Sequence, residues 1–235
     1  MKLDNAIVLV TGANRGIGLA FAREALARGA RKVYAGARNP ASVTLPGVEA
    51  IQLDVTRPED IAAAAKRCGD VTVLINNAGI AAMGGFLPQG SVESARAQLE
   101  TNFFGPLRLS QAFAPLLAAN GGGAILNVLS VASWINRPIL GIYGATKSAA
   151  WGLTNSLRHE LRAQGTQVLG MHVGFVDTDL TRGLDMPKSA PDVVVRRALD
   201  ALEAGAEEVL ADDLTRQVKQ GLSAEPGVYL VTPAA

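Results

Sequence analysis

Short apolar runs and longer stretches with helical spacing take turns along this sequence. The runs "AIVLV" (6–10), "KVYAGA" (32–37), "VEAIQLDV" (48–55), "VTVLIN" (71–76), "GAILNVLS" (123–130) and "QVLGMHVG" (167–174) have strand length. They are rich in β-branched residues and nearly continuous rather than alternating, which is the pattern of strands covered on both faces. Helix-like segments lie between them, at 16–29, 58–67, 91–118 and 143–164, with further helices expected at 190–204 and 212–221 around a short strand at 207–211. Strand and helix in strict rotation predict an α/β fold: a doubly wound parallel sheet with right-handed crossovers and helices on both faces. No linker interrupts the pattern, so residues 1–235 read as a single domain. Gly105-Pro106 falls inside the segment 91–118, where proline removes a backbone donor, and a kink is expected near 102–106.

The remaining composition mostly excludes. A net charge of +1 gives no electrostatic footprint for nucleic acid or an anionic membrane surface. No apolar run approaches the roughly 20 residues needed to span a bilayer. The first apolar run is too short for a signal sequence, so a cytoplasmic location is expected. The single Cys68 rules out an internal disulfide. His159 and His172 have no metal-ligand spacing with each other or with Cys68, so no metal site is expected and neither histidine is a catalytic candidate.

Directly after the first run comes "TGANRGIG" (11–18). Gly12 permits a tight turn, and Gly16 and Gly18 allow close backbone approach where a helix begins. A helix N-terminus offers free N–H groups to phosphates, so this loop is a candidate dinucleotide site. The end of the second strand should then meet the adenosine ribose. No acid occurs between Ala25 and Val48, whereas Arg38 ends "VYAGAR" and Arg15 sits within the glycine loop. Two guanidiniums suit a 2′-phosphate and a carboxylate would repel it, so NADP(H) is expected over NAD(H).

At 143–147 the chain reads "YGATK", with Tyr143 and Lys147 four residues apart on one helix face. Ser130 stands thirteen residues earlier, at the end of the fifth run, and the carboxyl ends of parallel strands form the ligand crevice. Together with "LDV" (53–55), "NNAG" (76–79), Asn102 and "HVGFVDT" (172–178), these motifs make the chain resemble the shorter, single-domain branch of the short-chain dehydrogenases/reductases, a Rossmann-type family. The resemblance spans nearly the whole chain. It implies a catalytic tetrad of Asn102, Ser130, Tyr143 and Lys147. Tyr143 would be the general acid or base, its pKa lowered by the Lys147 ammonium. Ser130 would orient the carbonyl, and Asn102, with the carbonyl freed by the kink, would hold a water linking Lys147 to solvent. It further implies cofactor contacts from Gly12, Arg15, Gly16, Ile17, Gly18, Arg38, Asp54, Val55, Asn77, Ala78, Gly79 and Thr178, besides Tyr143 and Lys147. Asn76 would stabilise the central sheet. The expected activity is NADP(H)-dependent interconversion of a carbonyl and an alcohol, in a homodimer or homotetramer joined through helices 91–118 and 143–164.

The substrate follows from the walls. Trp134, Ile135, Ile139 and Leu140 on one segment, and Phe175, Leu180, Leu184 and Met186 on the other, suit a hydrophobic ketone or aldehyde. An imine is open to the same chemistry, and a catalytically silent NADP(H)-binding protein is the competing class. The chain departs from the family pattern at Val173, where proline is usual, at Leu129, where a small polar residue is common, and in its C-terminal segment "EEVLADDLTRQVKQGLS". The segment 179–190 is short for a substrate lid, which predicts an open site. The closing "AEPGVYLVTPAA" reads as a tail or an arm packed on a neighbour.

Overall fold

A computed structural model describes residues 1–231. Seven strands, β1 (Ile7–Thr11), β2 (Lys32–Ala37), β3 (Glu49–Gln52), β4 (Val73–Asn76), β5 (Ala124–Val128), β6 (Gln167–His172) and β7 (Glu208–Leu210), form one sheet. Its order is β3-β2-β1-β4-β5-β6-β7 and every pairing is parallel. The order reverses between β1 and β4, and ligands of such sheets bind at that reversal, outside the carboxyl ends of the strands.

The continuous apolar runs are explained by two cores. Residues 8 and 10 of β1 point to one face, with Phe21 and Ala25 of α1 (Gly16–Ala27) and Val195 and Leu199 of α6 (Pro191–Glu203). Residues 7 and 9 point to the other, with Ile61 of α2 (Pro58–Arg67), Phe113 of α4 (Gly105–Ala119) and Leu157 of α5 (Gly141–Glu160). A strand with period-two geometry must be apolar at every position to feed both layers.

Three expectations are adjusted. The run 48–55 shortens to β3 because Asp54 folds into a turn, its Oδ1 accepting from the backbone N–H and the hydroxyl of Thr56. The run 123–130 shortens because Ser130 leaves the ladder to cap a 3-10 turn at Val131–Ser133. The expected kink is a π turn at Glu100–Phe104 joining α3 (Ser91–Leu99) to α4. Pro106 cannot donate to the carbonyl of Asn102, and the widened turn, with the Gly105 N–H donating to the Glu100 carbonyl, accommodates that missing bond.

The C-terminal β7 pairs with β6, and α7 (Asp213–Gly221) packs on β7 and on the Val131–Ser133 turn. The tail, as far as it is described, folds back on its own chain: Val228 packs with Trp134 and Val218, and Arg137 Nη1 donates to the Val231 carbonyl at 3.0 Å. Residues 232–235 of that segment lie outside the described residues.

Candidate active site

A cleft of about 520 Å³ opens over the carboxyl ends of β1, β2, β4 and β5. Its lining includes Gly12, Arg15, Gly16, Ile17, Arg38, Asp54, Val55, Asn77, Ala78, Gly79, Tyr143, Lys147 and Thr178. Of the catalytic and cofactor candidates, Gly18, Asn102 and Ser130 are not part of this lining, Asn102 and Ser130 being buried at its edge; of the expected substrate walls only Leu180 is.

The glycine loop is shaped for close approach. Gly12 has φ +66°, and a side chain there would lie 3.1 Å from the Ala78 backbone. A Cβ at Gly18 would meet the Gly12 carbonyl oxygen at 2.2 Å and Asn77 Nδ2 at 2.5 Å, so the bare backbone there lets α1 lie close against the loop. Asn77 locks the same loop, its Nδ2 donating to the Thr11 carbonyl at 2.8 Å. The Thr11 hydroxyl, not foreseen from the sequence, accepts from the N–H groups of Asn77 and Ala78. Asn76 Nδ2 donates to Asn127 Oδ1 at 2.8 Å, joining β4 to β5 at the centre of the sheet.

The two arginines differ. Arg38 is exposed at the end of β2 and makes no ion pair among the described residues. Arg15 Nη1 is 2.7 Å from Asp179 Oδ2, and Asp179 also binds Arg182. This contact crosses from the glycine loop to the 179–190 segment. The base of the segment is also tied down, by backbone bonds between Ser189 and Phe175 and between Asp177 and Ser189.

At the other end, Tyr143 and Lys147 rise from the first turns of α5. Lys147 is 6 % exposed and its Nζ donates to the Val128 carbonyl at 2.8 Å, leaving the other ammonium protons free of protein partners. Burial lowers its pKa to about 8. Burial also raises the Tyr143 phenol to about 12, against the opposing pull of the Ser130 side chain. The Lys147 ammonium lies 5.7 Å from the ring centroid, and burial is the leading influence on the phenol. The phenol is therefore protonated at neutral pH.

The Asn102 side chain ties the loop after β4 to α5: its Oδ1 accepts from the Ile80 N–H at 2.9 Å, and its Nδ2 donates to the Ile80 carbonyl at 2.8 Å and to Thr146 Oγ1 at 2.9 Å. These bonds do not engage its backbone carbonyl, to which Pro106 cannot donate. Ser130 Oγ accepts from the Ala132 N–H at 3.1 Å. Trp134 is absent from the cleft wall, being stacked on His172 with ring centroids 3.9 Å apart. The apolar lining near Tyr143 comes from Ile80, Leu129, Val173 and Leu180.

The family model for short chain dehydrogenases matches residues 6–188. The chain belongs to the short-chain dehydrogenase family. A short-chain dehydrogenase (ptmH) of Penicillium ochrochloron is 36% identical over 217 residues, covering 88% of this chain and 79% of that protein. Among solved structures, a short-chain dehydrogenase from Burkholderia cenocepacia in complex with NADP superposes with a TM-score of 0.94 at 39% identity, covering 99% of this chain and 100% of that one. A 3-ketoacyl-(acyl-carrier-protein) reductase from Brucella melitensis complexed with NADH gives 0.82 at 25% identity, covering 89% and 97%. The molecule is thus an oxidoreductase of this family, and its seven-stranded parallel sheet is the family's. The cleft fits the family's nicotinamide dinucleotide: side chains at Gly12 and Gly16 would fill the cradle between β1 and α1, and free N–H groups stand at the α1 terminus. Among the described residues, no helix is long and apolar enough to cross a membrane and no cluster of metal-ligating residues occurs.

Proposed function

We propose that this chain is an NADPH-dependent reductase of an apolar ketone or aldehyde, the same groups serving alcohol oxidation in reverse. The observation that carries this reading is a half-buried phenol, Tyr143, lining one end of the dinucleotide cleft with the Lys147 ammonium 5.7 Å from its ring centroid. Bound NADPH would supply a hydride to the carbonyl carbon. The oxygen then develops negative charge and needs a proton, which Tyr143 donates. Ser130 is close enough to Tyr143 to share the carbonyl oxygen and stabilise that charge. Lys147, anchored on the Val128 carbonyl, presents its remaining protons to the ribose of the cofactor and its charge to the phenol. The Asn102 side chain holds the loop 77–82 against α5, and its backbone carbonyl, to which Pro106 cannot donate, would hold a water linking Lys147 to solvent.

Preference for NADP(H) is supported by Arg38, a guanidinium without a carboxylate partner at the ribose end, with Arg15 nearby in the lining. It is also supported by the NADP complex of the Burkholderia cenocepacia neighbour. The remaining contacts fall to Gly12, Gly16 and Ile17 at the pyrophosphate, Asp54 and Val55 at the adenine, and Thr178 at the nicotinamide end. Ile80, Leu129, Val173 and Leu180 favour an apolar substrate. Exposed Val92 and Phe104 on the helices after β4 favour association of two copies there, read by light scattering of the purified protein. The deciding experiment is NADPH oxidation against a panel of hydrophobic ketones and aldehydes. Turnover supports the reading. Tight NADPH binding with no turnover on a broad panel favours a silent binder.

A further inference from the structure

Behind the site lies a cluster that the proposed mechanism does not use. His172, the last residue of β6, is fully buried, with its Nδ1 3.3 Å from the backbone carbonyl oxygen of Ser130. Its ring stacks on Trp134, at 20° between planes, and Trp134 belongs to the same turn as Ser130. Its Nε2 has no hydrogen-bond partner and lies 3.5 Å from Glu208 Oε1 on β7. Lys219 on α7 holds both oxygens of Glu208 at 3.0 Å and its Nζ stands 4.9 Å from the Trp134 ring centroid. Trp151 of α5 closes the cluster edge-on. Arg158 of α5 also faces Glu208.

Both ring nitrogens face oxygen acceptors, and a neutral imidazole has one N–H to give. The carboxylate is already paired through both oxygens with Lys219, and at 3.5 Å it stands farther from the ring than the Ser130 carbonyl at 3.3 Å. Burial opposes the doubly protonated ring. We propose that His172 is a positioning residue for Ser130: as the Nδ1–H tautomer it clamps the Ser130 carbonyl while its ring braces Trp134. The atypical C-terminal segment thereby becomes part of the active-site support, because Glu208 and Lys219 pack the far side of the imidazole. The catalytic consequence rests on the reductase reading above. The clamp itself does not.

The test uses the full-length protein labelled with 15N-histidine, in which only His159 and His172 report. Long-range 1H–15N spectra at pH 7 should show one histidine as the Nδ1–H tautomer, absent from His172→Asn. The Ser130 carbonyl 13C resonance should move in His172→Phe, which keeps the stack and removes the donor. It should stay near its parent value in His172→Asn, whose Nδ2 takes the place of Nδ1. With a substrate from the panel, His172→Phe should lower kcat about tenfold at NADPH affinity within twofold of the parent, a loss of the size that removal of one aligning contact produces. His172→Asn should retain kcat within about threefold. An Nε2–H tautomer, an unmoved Ser130 resonance in His172→Phe, or equal kcat losses in the two variants would overturn the clamp. If no carbonyl is turned over by the parent, the reductase reading falls and the spectra alone decide the clamp.

Discussion

The half of the molecule built from β1, α1, β2 and β3 and the half built from β5, β6, β7 and α7 meet along one cleft but are held together differently. In the first, the loop 11–18 is shaped by glycines, with the Thr11 hydroxyl and the Asn77 side chain bonding its backbone to the chain just after β4. In the second, Ser130 and Lys147 are each set by a contact from elsewhere in the chain. Lys147 hangs on the Val128 carbonyl, Ser130 leans on His172, and the Gly174 N–H donates to Asp212 at 2.6 Å. The first half presents backbone to a cofactor. The second aims side chains at reacting atoms, and side chains need support from outside their own element.

The largest effect should come from the group that moves the proton. Tyr143→Phe keeps the ring and removes the hydroxyl, so kcat should fall about 10³-fold, within the usual range for losing a general acid, while NADPH affinity stays within a few-fold. Paired single-turnover and fluorescence titrations check this. Equal losses in kcat and affinity would break the division between the halves.

Gly18→Ala probes the first half alone. Its Cβ would collide with the backbone oxygen of Gly12, which cannot rotate away, so the variant should lose about 3 kcal/mol of stability or displace the loop. Denaturant melts with and without NADPH separate the two outcomes. A parent-like variant would mean that α1 and the loop are looser than this packing implies.

Asp212→Ala probes the second. The carboxylate is 6 % exposed and accepts from the Gly174 N–H and, as the cap of α7, from the Thr215 N–H at 2.8 Å. Losing a cap and leaving a buried N–H unpaired should cost about 2 kcal/mol. The turn 173–174 lines the cleft, so kcat should also fall. Asp212→Asn keeps an acceptor and should recover most of both. Full activity in the alanine variant would mean that Val173 and Gly174 need no help from the C-terminal segment.

Lys147 gives the comparison a pH axis. Its folded pKa of about 8 lies below the ordinary lysine value, so between about 8 and 10.5 the unfolded chain binds more protons than the folded one and stability rises with pH there. Tyr143, raised to about 12, acts oppositely between about 10 and 12. Catalysis should run against the lysine trend. In reduction, kcat/KM for NADPH should fall about tenfold per pH unit above about 8 as the free enzyme loses its ammonium. Lys147→Arg, which keeps its charge, should move that limb beyond pH 10. A limb unmoved in the variant would assign it to another group.

These halves were also unequally legible. Sheet and helices announced themselves through apolar runs, because a strand feeding two cores has no polar positions to confuse the pattern. Glycine loop, Arg38 and the Ser130, Tyr143 and Lys147 spacing were legible because each is local and its chemistry is carried by residue type. The supporting bonds of His172, Asp212 and the Asn102 side chain were not. They reach partners 22 residues away, as with Ile80 and Asn102, and up to 44, as with Asn102 and Thr146. Nor does residue type tell whether burial or a neighbouring ammonium governs the Tyr143 phenol. Desolvation is set by the whole surrounding chain.

The smallest effect concerns Arg15, where a local reading and a distant contact compete. By sequence, Arg15 and Arg38 share the 2′-phosphate. In the structure Arg15 is engaged by Asp179 across the cleft mouth, whereas Arg38 is uncommitted. An exposed ion pair of this kind contributes at most about 1 kcal/mol, but Arg15 must give it up, or share it, before it serves a phosphate. Arg38→Leu should therefore lower the NADPH-over-NADH affinity ratio about tenfold, and Arg15→Leu only about threefold. Asp179→Asn, which releases Arg15, should raise NADPH affinity two- to threefold and leave NADH unchanged. Isothermal titration of both cofactors at low and moderate salt reads all three. If Arg15→Leu equals Arg38→Leu, the guanidinium leaves Asp179 at no cost. The first half of the molecule would then bind its cofactor without any tie to the segment that follows β6.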